Sequence, residues 1–325
     1  MARNLIKTSG SVFMGNPITY KVTAETEPSD VVVSFHRVKL RVTIEGRTYE
    51  LSTPARSGED VEFDVSSCFR AAADTYEYTP LTEGRRAFPV FVADIEARDV
   101  WLREGVLIDP APVGGGRPTV QCTAYMGAFS DFERRHATQT VTGTRKPLSP
   151  EIAFAGDPIV YTGDRMSFVR VMQDTELGTI VTLPNGLRVY VDEPRLGSCL
   201  FQMVNSRGLI ESVRAFQLRT EKVSGSTEEH TISRLERFDT FSRVYAKRTA
   251  DRESLSLSSG FVSYEWARWW AYEFCVSPHH WMLFDGVWTP CIVERDDSLT
   301  VVDETKPGMC YVAFTCKPDQ NGALW

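Results

Sequence analysis

The sequence predicts a mainly β protein of two or three sandwich- or barrel-like units with a few short helices. Three observations predict it. Apolar and polar residues alternate along several short runs, the period of a half-buried strand. Turn signals such as Glu45-Gly46, Asn185-Gly186 and Asp285-Gly286 separate those runs, at the roughly ten-residue spacing of sandwiches. The chain has 325 residues, 42% apolar and 24% charged, the make-up of a globular protein of two or three domains. The expected units are 1–145, 146–250 and 251–325. Whether the last two share one core is left open at this point.

The first unit reads as a sandwich. Val31, Val33 and Phe35 alternate with Val32, Ser34 and His36. Leu40, Val42 and Ile44 then line one face of a strand whose other face carries Lys39, Arg41 and Thr43. Glu45-Gly46 turns it into a partner at Arg47–Leu51, a hairpin. Val61, Phe63 and Val65 repeat the pattern. Ser66 and Ser67 are candidate caps for a short helix, Cys68–Asp74. Pro89–Ile95 and Thr119–Tyr125 read as strands. Between them, Asp109–Pro118 holds three prolines and a glycine triplet, so it reads as a loop. No helix pattern follows it, as a phosphate cradle requires.

Thr140–Pro150 is polar and proline-bearing, a domain boundary in composition. Beyond it, GDPIVY in Ala155–Gly163 echoes GNPITY in Met14–Val22, which suggests that both units open with a similar strand. The hairpin of the second unit is Thr179–Val191, turned at Asn185-Gly186. Leu200–Val204, Ile210–Leu218 and Phe238–Val244 are strand candidates, and Lys222–Glu229 reads as a loop.

The third segment is the richest. Trp266–Trp288 contains five of the seven tryptophans together with Cys275, His279 and His280. Ser263 is a candidate cap for a helix reaching Val276, stopped by Ser277-Pro278. Trp266, Trp269, Trp270 and Phe274 fall on one helical stripe. Trp281–Phe284 and Val287–Val293 flank Asp285-Gly286, a two-residue hairpin. Leu299–Val302, a turn at Pro307-Gly308, and a last strand carrying Cys310, Val312, Phe314 and Cys316 complete it.

Composition and motifs narrow the function. The net charge of −7 argues against nucleic acid. The basic dipeptides Arg85-Arg86 and Arg134-Arg135 read as solvated surface. The opening residues lack a signal-like apolar run, and no stretch approaches the roughly 18 apolar residues of a membrane span. Seven cysteines, at 68, 122, 199, 275, 291, 310 and 316, are widely spaced without a CxxC, and read as small buried side chains. Cys275, His279, His280 and Cys291 are zinc-suitable residues, but their spacing fits no structural zinc pattern. Cys199 lacks the context of a cysteine nucleophile, and no GxSxG elbow occurs. Asp296-Asp297 and Glu228-Glu229 are carboxylate pairs of a kind that chance supplies among 43 acidic residues. Neither catalytic, cofactor nor metal residues are expected. Exposed tryptophans can stack on sugars, but a helical stripe facing a hairpin reads as core.

The order SSGFVSYEWARWWAYEFCVSP, HHWMLFDGVWTPCIVERD, MCYVAFTCKP resembles tail and baseplate proteins of bacteriophages and prophages. In those, a short helix ends at a serine and leads into a strand, a D-G hairpin and a W-x-P-V/C-x-V strand. VNSRGLIESVRAF, at Val204–Phe216, is similar to their N-x-x-G-G-x-E strand, with Leu209 in place of the second glycine. GNPI…VSFHRVKLRVTI…VEFDVSSCFRAA also looks like their leading sandwich. The resemblance implies a virion structural protein assembled in the host cytoplasm. It would form a ring or hub from its own copies and other tail proteins, without nucleic acid, membrane or catalytic residues. A carbohydrate- or receptor-binding module and a polysaccharide-degrading hydrolase are the alternatives.

Overall fold

The computed structural model describes residues 5–8, 13–26, 35–103, 106–108, 119–128, 145–147, 149–162, 165–195, 197–224, 227–236, 239–248, 252–295 and 310–318. They are mainly β, with two short helices. The chain divides into two compact units. One takes residues 1–79, 86–143 and 206–209, the other 80–85, 144–205 and 210–325. The expected loop at Asp109–Pro118, Arg134-Arg135, the strand at Leu299–Val302, the turn at Pro307-Gly308 and Asp296-Asp297 lie outside the described residues, as do Val31–Ser34 and most of the boundary segment.

Unit 1 is built from two sheets. β1 (Leu5–Lys7), β2 (Thr19–Thr23) and β5 (Asp60–Asp64) form one. The other joins β4 (Arg47–Pro54), β3 (Phe35–Ile44) and β7 (Val90–Arg103), with β8 (Val106–Ile108) and β9 (Thr119–Tyr125) pairing β7. Glu45 and Gly46 take φ of 49° and 79°, the left-handed pair of a type I′ hairpin. Even-numbered β3 residues face inward: Val38, Leu40, Val42 and Ile44 are fully buried. They meet Tyr20, Phe63, Phe91 and Ile95 in one core. Each such side chain contributes about 1.5–3 kcal/mol.

Helix α1 (Ser66–Ala73) closes one side of this core with Cys68, Phe69 and Ala72. The serines do not cap it. Ser66 and Ser67 lie inside the first turn, and the Ser66 N–H donates to Asp64 Oδ1 at 2.9 Å. A carboxylate takes the role because β5 ends on Asp64, two residues ahead, aimed at the free amides. Its Oδ1 also accepts the Ile18 N–H at 3.0 Å.

The short strand β6 (Arg85–Arg86) lies where the chain passes from one unit to the other. In unit 2, β10 (Glu151–Phe154) runs parallel to β14 (Arg188–Asp192), which pairs antiparallel with β13 (Ile180–Thr182). Their loop is longer than the expected tight turn. Leu183 N–H donates to Leu187 O at 2.8 Å, and Gly186 alone takes positive φ. β11 (Pro158–Thr162) and β12 (Met166–Arg170) form a second hairpin. The GNPI and GDPI echoes have the same turn: Asn16 N–H donates to Phe13 O, and Asp157 N–H to Phe154 O, both at 3.1 Å.

A closed six-stranded barrel completes unit 2. β15 (Cys199–Val204), β16 (Ile210–Ser224), β19 (Arg252–Ser258), β22 (Ala313–Pro318), β21 (Val287–Arg295) and β20 (His280–Phe284) pair in a ring, and β20 returns to β15. Strands from either side of residue 250 therefore share this barrel. Asp285 and Gly286, at φ 46° and 80°, form the type I′ turn that the sequence indicates.

The described residues of the expected loop at Lys222–Glu229 are strand instead. β16 continues to Ser224, and β17 (Thr227–Glu236) begins three residues later, paired along ten positions with β18 (Asp239–Arg248). Polar, serine-rich composition misled the reading, because KVSGSTEE has no hydrophobic alternation to display.

Candidate functional site

The aromatic segment runs across the barrel's interior residues. Ser263 caps α2 (Tyr264–Trp269) as expected, its Oγ accepting the Trp266 N–H at 3.4 Å. The helix does not continue as regular α to Val276. Trp270–Phe274 forms a π-helical turn, closed by Cys275 N–H donating to Trp270 O at 2.9 Å. The wider turn presents both Trp270 and Phe274 inward, their ring centroids 4.5 Å apart. Trp270 stacks on Phe314 at 5.7 Å, and Phe274 lies 5.5 Å from Phe201. Trp266, Trp269, Trp270 and Trp281 are all buried. Such π turns often mark functional sites; here the turn serves ring packing.

The cysteines and histidines of this segment have separate duties. His280 stands opposite Cys291 in the β20–β21 ladder, and its Nε2 donates to Phe274 O at 2.7 Å. Desolvation lowers its pKa to about 4, so the imidazole is neutral. His279 lies against Trp281, rings 6.2 Å apart, with its pKa lowered by partial burial. Burial pushes the Cys275 thiol up to about 12 and that of Cys199 to about 11. Cys316 is raised further by its hydrogen bond with Cys291 and by burial. These are protonated thiols packed in the barrel core, poor nucleophiles and poor ligands. Among the described residues, no three His, Cys, Asp or Glu side chains converge as a metal site would require. Glu228 and Glu229 fall on β17, in the ribbon.

Beside α2 lies a cavity of about 210 Å³, bounded by Ile152, Val213, Phe216, Phe261, Val262 and Trp266 on its apolar side and by Glu151, Arg214, Ser259 and Ser263 on its polar side. Most of its polar groups are engaged. Trp266 Nε1 donates to Ser149 O at 3.3 Å, and Arg214 Nε donates to Asp157 Oδ2 at 2.8 Å. The Lys146 ammonium is bonded to Glu151 and to the Ser212 carbonyl. Among the described residues, Ser149 Oγ is a buried lining atom without a partner.

Comparison with models of protein families, with curated proteins and with solved structures finds no match. The site's chemistry therefore has to be read from its own residues.

Sequence reasoning missed the buried charges next to this cavity. Lys146, Glu151, Asp157 and Glu211 are each less than a tenth exposed. They tie the 145–157 segment to barrel strand β16: Arg145 N–H donates to Glu211 Oε1 at 3.0 Å, and its Nε to Glu273 Oε1 at 2.9 Å. Glu211 is the glutamate of the N-x-x-G-G-x-E resemblance, and its carboxylate is spent on this strap. Gly208, the first glycine, has φ of +73°, and a Cβ there would stand 2.6 Å from Met126 Cβ. Burial raises the pKa of Glu151 against the opposing pull of Lys146. Single charged residues in polar stretches carry no sign of burial, so nothing in the sequence announces this network. Unit 1 hides a second pair, His36 Nε2 and Asp99 Oδ1 at 2.8 Å, with His36 stacked on Trp101. Its signal was available: His36 shares the even-numbered inner face of β3 with Val38 and Leu40.

Proposed function

We propose that this chain is a structural protein of a phage tail or baseplate, assembled in the host cytoplasm. In this reading it works by burying surface against its own copies and neighbouring tail proteins, in a ring or hub, and performs no catalysis. The observation that carries the reading is apolar surface around the barrel. Phe261, Tyr272, Val276, Phe284, Val287 and Ile292 are 57–65% exposed, and Phe284 faces Val287 across the hairpin. Apolar surface of this kind is costly in water and marks association. The tryptophans support the same reading from the other direction, since Trp266, Trp269 and Trp270 are consumed by the barrel's own core. Size exclusion with light scattering tests it. Assembly beyond one chain at micromolar concentration is expected; a strict monomer that joins no virion fraction overturns it.

A carbohydrate- or receptor-binding module is the second reading, favoured by the cavity beside Trp266. It ranks second because sugars need several spare hydrogen-bonding groups, whereas the lining polar groups are held in internal bonds. A glycan array with tryptophan fluorescence decides. Saturable quenching on sugar addition would favour this reading over assembly.

A further inference from the structure

The β17–β18 ribbon offers two open strand edges of opposite charge. Among the described residues, each strand pairs with the other alone. The ladder is ten residues long, or about 33 Å at the usual rise per residue. A lone two-stranded ribbon is at best marginally stable in water, and an unpaired edge is a template for another strand. β17 carries Glu228, Glu229 and Glu236 against Arg234, a net charge of −2. β18 carries Arg243, Lys247 and Arg248 against Asp239, a net charge of +2.

From this we infer that the ribbon is the assembly arm of the chain, and that its occupant is a second copy. The acidic β17 edge of one copy pairs with the basic β18 edge of the next. Two considerations single out that arrangement. Pairing β17 with its own copy about a two-fold axis would bring −2 against −2, and like charges on facing strands repel. With neighbouring ribbons pointing the same way, β17 and the next copy's β18 run antiparallel, as they do within one ribbon. The internal register repeated across the seam sets Glu228 opposite Lys247, and Glu229 diagonal to Arg248, of the next copy. Such head-to-tail contacts close into a ring when the rotation between copies allows it.

The inference rests on the assembly reading above, and its test separates the two. Ser224 and Arg252 are register partners, so an Asn-Gly turn can join them and replace residues 225–251 in an otherwise full chain. The deletion is expected to run at the mass of one chain, with indole fluorescence and unfolding midpoint unchanged, while the full chain runs as an oligomer. An oligomer that survives the deletion overturns the arm and leaves the assembly reading intact; a monomeric full chain overturns both. Should the deletion fail to fold, a charge reversal decides: Glu228→Lys, Glu229→Lys, Lys247→Glu and Arg248→Glu together. This variant keeps its edges complementary to each other, so it is expected to assemble with itself. Mixed with tagged wild-type chains, it is expected to be recovered at least tenfold less than untagged wild type. Equal recovery overturns the pairing of acidic with basic edges.

Discussion

In the sandwich of unit 1 the interior is mainly aliphatic and comes mostly from the strands. Val38, Leu40, Val42 and Ile44 of one strand interlock with Val22, Phe63 and Ile95 of others. In the barrel of unit 2 the strands supply only part of the filling. Trp266, Trp269, Trp270 and Phe274 enter from one helical segment and meet Phe201 and Phe314. The first core distributes its energy over many interchangeable methyl groups. The second concentrates it in a few rings set at edge-to-face and stacked angles, each pair adding about 0.5–1.5 kcal/mol beyond its buried area. A few residues should therefore control the barrel, whereas no single residue should dominate the sandwich.

Removing a ring is the strongest way to break that contrast. Trp270 is 2% exposed and touches Trp269, Phe274 and Phe314. Trp270→Ala is expected to cost about 3–5 kcal/mol, the upper range for a core aromatic. Val42→Ala, a fully buried sandwich residue, removes two methyl groups and should cost about 1–3 kcal/mol on the same scale. Urea unfolding followed by indole fluorescence and circular dichroism measures both. Equal losses would mean that the barrel is no more concentrated than the sandwich.

The charged strap sharpens the comparison, because it holds the barrel by polar means. In Lys146→Met, Glu151 remains buried without its counter-charge, at a cost of about 3–5 kcal/mol. Lys146→Met with Glu151→Leu should recover most of that loss, since an apolar pair of similar volume is tolerated where half an ion pair is not. A double variant as unstable as the single one would show that the strap contributes geometry that charge removal alone does not restore.

Acid should act on the barrel through His280. Its folded pKa lies near 4, below the ordinary 6.5, because burial disfavours the cation. The unfolded chain then binds a proton that the folded chain refuses. Stability is retained above pH 6.5 and lost as pH falls from 6.5 toward 4, by about 3 kcal/mol at 1.36 kcal/mol per unit. His280→Gln keeps a donor for the Phe274 carbonyl and should flatten that limb of the stability profile. An unchanged profile would assign the acid sensitivity elsewhere.

The same contrast explains what could be read in advance. The sandwich was legible because its strands are half-buried: Leu40, Val42 and Ile44 alternate with Lys39, Arg41 and Thr43, and the structure follows that period. The barrel's hairpin was legible from Asp285-Gly286. The π turn was not, because Trp266, Trp269, Trp270 and Phe274 satisfy an α stripe equally well, and the extra residue per turn depends on Phe314 and Phe201 across the interior. Lys222–Glu229, which leads into the ribbon, was read as a loop because that stretch does not alternate in hydrophobicity, whereas Phe238–Val244 was read as a strand and Asp239–Val244 lies in β18. The cavity beside Trp266 and the bond from Lys146 to the Ser212 carbonyl join segments over 60 residues apart in the chain, a proximity that local pattern does not encode.

The smallest effect concerns how the two helices begin. Serines stand at the start of both, and sequence alone treats Ser66, Ser67 and Ser263 alike. In α2 the Ser263 Oγ accepts the Trp266 amide, so Ser263→Ala should cost about 1 kcal/mol. In α1 it is Asp64 that accepts a first-turn amide, that of Ser66, and Ser67 is exposed on the first turn. Ser67→Ala should change stability by less than about 0.5 kcal/mol, as surface substitutions do, while Asp64→Ala should cost about 1 kcal/mol by leaving the Ser66 and Ile18 amides without their acceptor. Chemical unfolding of the three variants checks the assignment. A loss in Ser67→Ala that matches the other two would return the capping role to the serine, and with it the sequence's own first choice.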